Sequence, residues 1–149
     1  MKNKAFTLIE LLIVVSIIAI LAATIIPNFV GFDTEARIMA TKTNLDTIRT
    51  RITLFRAKEG RYPAGLAELV DTFYLDAGIK KAYLDKLPPE MVSSKLGNNR
   101  FFDLVSADSP PSDDGGWIYY TDKADVRVNI NEPLDKKWGE YESQKPADW

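Results

Sequence analysis

Glu10 stands within 21 nearly uninterrupted apolar residues, from Phe6 to Ile26, in which Thr7, Ser16 and Thr24 are the other polar side chains. A carboxylate inside a membrane segment costs on the order of 2.5–3.5 kcal/mol at the bilayer centre and less near an end, so something must compensate it. One reading is local. Thr7-x-x-Glu10 has capping-box spacing, which lets both side chains satisfy amides where a helix begins. The other is functional: Glu10 pairs with a cation inside the membrane or a protein assembly, and a cut before Phe6 would create such a cation as a new amino group. Other chemistry is thin. The chain has neither Cys nor His, which excludes thiol nucleophiles, disulfides, imidazole acid–base catalysis and the commonest zinc ligand. Asp108, Asp113 and Asp114 fall in a Ser-, Pro- and Gly-rich loop, residues 106–116. Hard oxygens there would suit calcium, although the ligand spacing of a calcium loop is not met, and a solvated turn is the alternative. No other cofactor is expected.

The elements that position these groups can be read from periodicity. As a helix, residues 6–26 reach about 31 Å, the thickness of a bilayer's hydrocarbon. Lys2 and Lys4 precede this stretch, and the next Lys or Arg is Arg37, so the basic flank places the N-terminus in the cytoplasm and the rest outside. A secretory signal peptide shares the basic start, but its core is shorter and Ala22-Ala23-Thr24 offers no clean cleavage pattern. Pro27 deletes a helical hydrogen bond and Gly31 weakens the same stretch, which predicts either a kink or a helix end. The helix pattern then resumes. Ile38, Leu45, Ile48, Ile52 and Phe55 form one stripe ending at Gly60, so a helix over 6–59 would be about 80 Å long. The stripe suits packing against a head, with a coiled-coil seam as the alternative.

Residues 37–61 hold seven basic and two acidic side chains, whereas residues 103–149 hold eleven acidic and five basic. Pairing between the helix of one subunit and the head of another is one use of that polarity, and scattered solvated charge is the other. Nucleic-acid binding is disfavoured, because no aromatic platform accompanies the basic helix and the net charge is −2. In the head, residues 64–74 read as a short amphipathic helix and residues 80–87 as a further helical turn before Pro88-Pro89. Residues 101–105, 117–121 and 126–130 read as strands, with a hairpin turn at 122–125. The expected class is α+β, a long N-terminal helix packed on a small antiparallel sheet. Trp138, Tyr141 and Trp149 either pack on the sheet or belong to a loose tail.

Ala5-Phe6-Thr7-Leu8-Ile9-Glu10-Leu11-Leu12, followed by the apolar run and Pro27, resembles the leader and N-terminal helix of type IV pilins and type II secretion pseudopilins. The resemblance implies a leader over 1–5, a membrane-spanning and filament-core helix over 6–26, its amphipathic continuation over 27–59 and a globular head over 60–149. It implies cleavage between Ala5 and Phe6 by a prepilin peptidase, methylation of the Phe6 amine by the same enzyme, and an assembly role for Glu10. The family usually has Gly at the position of Ala5. It implies no catalysis and no small-molecule substrate. The implied partners are further copies of the chain, minor pilins or pseudopilins, and an inner-membrane assembly platform. The implied location is a bacterial inner membrane, with the head periplasmic before assembly and a periplasmic or extracellular filament afterwards. Tyr62-Pro63 and Tyr83-Leu84-Asp85-Lys86-Leu87-Pro88 are similar to the post-helix segment of the major type II secretion pseudopilin, which favours secretion over an adhesion, motility or DNA-uptake pilus. A membrane-tethered extracytoplasmic binding module or hydrolase is the reading from another class, and no residue spacing supports it.

Overall fold

The computed structural model describes residues 6–25, 32–93, 99–104 and 106–149. The leader, with Ala5, and the expected kink residues Pro27 and Gly31 lie outside the described residues. The chain divides into two compact units, Met1–Asp33 and Thr34–Trp149. In the first, α1 (Leu8–Ile25) is a helix of 18 residues, about 27 Å long. Among the described residues no helix is long and apolar enough to cross a membrane.

The second unit is built on α2 (Phe32–Glu59). Its expected stripe is buried along its whole length: Ile38, Leu45, Ile48, Ile52 and Phe55 are at most 3% exposed. These side chains pack inside their own unit, so the stripe is a core and not a seam held open for another helix. The helix ends where Gly60 takes a left-handed φ of +73° and returns its N–H to the Arg56 carbonyl at 2.9 Å, the usual glycine stop.

The head is α+β as expected, with boundaries that differ in two places. The helix expected over 64–74 shrinks to α3 (Glu68–Asp71), and Phe73 and Tyr74 instead open a strand. Strands β1 (Phe73–Asp76) and β2 (Ile79–Ala82) form an antiparallel hairpin, which replaces the helical turn expected from residue 80. Its two-residue turn has Ala77 and Gly78 at positive φ, 50° and 84°, the conformation that matches strand twist. A second sheet holds β3 (Phe101–Leu104), β4 (Trp117–Tyr120) and β5 (Asp125–Val128) in that order. Here β4–β5 is antiparallel but β3–β4 is parallel, with Phe101 opposite Trp117. The sheet is therefore mixed where an antiparallel one was expected, because the long 105–116 connection brings the chain back to start β4 beside the start of β3.

Two apolar clusters lie against α2. Leu45, Ile48, Ile52 and Phe55 meet Leu66, Leu69, Tyr83, Trp117, Tyr119, Val126 and Val128. Ile38 meets Val92, Leu134, Trp138 and Tyr141. The second cluster settles the tail: it is folded down as 3₁₀ turns at Lys136–Tyr141 and Pro146–Asp148.

Candidate assembly site

At the start of α1 the Glu10 carboxylate accepts the Thr7 backbone N–H at 2.8 Å and the Thr7 hydroxyl at 2.7 Å, while the Glu10 N–H donates to the Thr7 hydroxyl oxygen at 3.3 Å. The capping box read from the sequence is therefore formed. The remaining hydroxyls of the helix turn inward on their own backbone. Ser16 donates to the Leu12 carbonyl at 2.7 Å and Thr24 to the Leu21 carbonyl at 2.8 Å. Glu10 is left as the one carboxylate of a helix whose other faces are apolar.

Eleven large apolar side chains between Leu8 and Leu21 are exposed, from Val14 at 46% to Leu8 at 83%. A helix that is apolar all round demands burial on every side, and a contiguous patch of this size marks a membrane or protein interaction surface. Phe6, whose backbone nitrogen would become the new amine after cleavage, is exposed beside it.

In the head, the basic face of α2 is answered partly within the chain. Arg49 donates to the backbone oxygens of Val126 at 3.2 Å and Trp149 at 2.8 Å. The Lys42 ammonium lies 5.2 Å from the Tyr141 ring centre and 4.6 Å from the Trp149 ring centre, within cation–π range. These cations are therefore held by carbonyls and rings and not by the acidic residues of the tail. At the end of α2, Tyr83 donates its hydroxyl proton to Glu59 at 2.6 Å; burial, then that hydrogen bond, raises the phenol well above its ordinary range. Tyr119 donates to the Pro63 carbonyl at 2.9 Å, and burial pushes its hydroxyl up to about 12. Neither phenol is available as an acid or base near neutral pH.

The acidic loop is occupied with its own geometry. Asp113 accepts the backbone N–H groups of Asn131 at 2.5 Å and Glu132 at 2.9 Å, and Asp114 accepts the Ser112 hydroxyl at 3.0 Å. Asp108 sits apart and exposed. Among the described residues no group of three or more acidic side chains is placed to hold a metal ion. Sequence reasoning missed Glu90, which is fully buried. It accepts the N–H groups of Val92, Ser93 at 2.7 Å and Gly116 at 3.3 Å, tying the segment after Pro89 to the start of β4. The Pro-Pro-Glu sequence gives no local sign that this acid turns inward.

Residues 1–26 match the family model described as the prokaryotic N-terminal methylation motif. The chain is 48% identical over 61 residues to the type IV major pilin protein PilA of Myxococcus xanthus, a match covering 41% of this chain and 28% of that pilin. It is 26% identical over 118 residues to the type II secretion system core protein G of Escherichia coli, covering 71% of this chain and 81% of the relative. Against the protein of the same name from Dickeya chrysanthemi it is 26% identical over 72 residues, with 47% of that relative covered. The chain thus spans under a third of the pilin and about half of the Dickeya protein. No solved structure matches at a significant level. Motif and relatives point the same way: the chain carries the N-terminal methylation motif and is similar to a type IV major pilin and to type II secretion system core proteins.

Proposed function

We propose that this chain is the precursor of a pseudopilus subunit serving type II protein secretion, cut between Ala5 and Phe6, methylated on the Phe6 amine, and polymerised into a helical filament. The observation that carries the polymer is α1, apolar on every exposed face and interrupted by one capped carboxylate. The segment 6–26 anchors the precursor in the inner membrane with the head periplasmic. Removing residues 1–5 takes away Lys2 and Lys4 and changes the formal side-chain charge from −2 to −4, which erases the cytoplasmic basic anchor. A helix that leaves the bilayer must then bury against copies of itself. In that core the Phe6 ammonium of an incoming subunit neutralises Glu10 of one already in place, since a lone buried carboxylate is strongly unfavourable.

Secretion is favoured over a surface pilus by the extent of likeness. The match to core protein G covers 71% of the chain, more than its first 59 residues can supply, and so takes in the head. The 48% identity to a major pilin over 61 residues supports the second reading, a type IV pilus subunit. Mass spectrometry of protein purified from membranes tests the processing steps: a chain beginning at singly methylated Phe6 is expected, and an intact chain retaining residues 1–5 in a functioning cell contradicts the proposal. Deletion of the gene separates the two uses. Loss of protein secretion with surface pili intact is expected, and loss of surface pili with secretion intact selects the pilus.

A further inference from the structure

Arg51 is a further cation of α2. It is half-buried, its Nε is enclosed without a hydrogen-bond partner, and among the described residues its side chain makes no ion pair. It lines an open cleft of about 360 Å³ between α2 and the segment 82–89, whose other walls include Thr47, the exposed Asp85, Lys86 and Pro89. Thr47 and Arg51 also border a second hollow further along the helix. The acid nearest in sequence, Asp46, is turned to Arg49 at 3.9 Å. An enclosed Nε–H with no acceptor is costly, and the planar guanidinium fork is shaped for a carboxylate.

A carboxylate suited to that cleft is presented elsewhere in the same unit. Asp108 is exposed, and among the described residues its carboxylate has no partner. The turn that carries it is braced on three sides. The Asp108 N–H donates to the Ser106 hydroxyl at 3.3 Å, the Ala107 N–H to Asp122 at 3.1 Å, and the Tyr120 hydroxyl to the Ser109 carbonyl at 2.9 Å. A preorganised turn loses little freedom on docking. The surrounding charge is complementary as well: residues 37–86 hold ten basic and six acidic side chains, against five basic and eleven acidic in 103–149.

We propose that the Arg51 cleft receives the Asp108 turn of a second copy of this chain. Donor and acceptor surfaces are different patches, so within the polymer proposed above the contact runs head-to-tail and repeats from subunit to subunit. Its contribution is register, because charge complementarity fixes orientation more than it adds affinity. The inference rests on the polymer reading above and deepens it.

The natural absence of Cys permits a direct test. In the full chain, expressed with its own processing and assembly machinery, Arg51→Cys and Asp108→Cys are introduced singly and together and treated with a short bis-maleimide, since an arginine–carboxylate contact holds Cβ atoms farther apart than a disulfide allows. A ladder of cross-linked multimers is expected in the double variant and not in either single one. Independently, Arg51→Asp or Asp108→Arg alone should lower filament yield about tenfold, and the two together should restore most of it. Filaments that assemble normally in the double-cysteine variant without a ladder overturn this contact and leave polymerisation standing. Failure of the unmodified chain to form filaments overturns both.

Discussion

Glu10 and Thr7 are joined by three hydrogen bonds, two of them to the Glu10 carboxylate at 2.7–2.8 Å and one from the Glu10 N–H at 3.3 Å. The capping box thus forms within one chain, and under the proposed polymerisation the same carboxylate would become the counter-ion of a neighbour's Phe6 amine. Glu10→Leu should remove a charge from an apolar helix and so leave membrane insertion intact, while filament yield falls by about tenfold or more for want of the buried pair. Thr7→Val should loosen the helix start by about 1 kcal/mol and reduce assembly less than Glu10→Leu does. Membrane fractionation and filament counts on the two variants give the comparison.

Two large side chains report on the two clusters against α2. Ile48 is fully buried and Trp138 is 7% exposed. Ile48→Ala should cost about 2–5 kcal/mol and Trp138→Ala about 3–5 kcal/mol, read as denaturation midpoints of the full chain in detergent. A near-neutral Trp138 variant would mean that the tail does not close on Ile38.

Glu90 and Gly116 join two segments of the head, the Gly116 N–H donating to the Glu90 carboxylate at 3.3 Å. Glu90→Gln keeps the shape but turns an amide donor toward a backbone N–H, and should destabilise by about 2 kcal/mol. A Cβ on Gly116 would stand 2.3 Å from the Arg100 carbonyl oxygen, at a φ of +78°. Gly116→Ala should therefore cost at least about 2 kcal/mol. The same melts measure both.

The Arg61 guanidinium, aided by the Ala64 N–H at 2.7 Å, holds Glu68 below the usual carboxylate range. A depressed folded value stabilises above the unfolded value of about 4.3 and ceases to do so as pH falls through the lower folded value. Glu68→Gln should thus melt lower than the natural chain at pH 7, and the gap should close on acidification. A gap that persists unchanged at low pH would mean the effect is not electrostatic.

The legible parts of this fold were those with a local period. The stripe from Ile38 to Phe55 repeats at helical spacing, and Val126 and Val128 alternate with Arg127, so α2 and β5 stood out. The hairpin 73–82 did not, because Leu, Lys and Ala suit a helix equally well and its strands leave Phe73, Leu75 and Ile79 exposed; the Ala77-Gly78 turn was its signal. The parallel pairing of β3 with β4 depends on where a long connection returns, which no local pattern encodes. At the candidate site, the Thr7–Glu10 spacing was readable from the sequence, whereas the inward turn of Glu90 and the orphaned Arg51 emerge only once distant segments meet.

The structure of the assembled filament tests the central claim most directly. The Phe6 amine of each subunit should lie within about 4 Å of the Glu10 carboxylate of a neighbour, the reach of an ion pair. A filament in which those atoms are far apart and Glu10 keeps Thr7 or another cation as its partner would contradict the account.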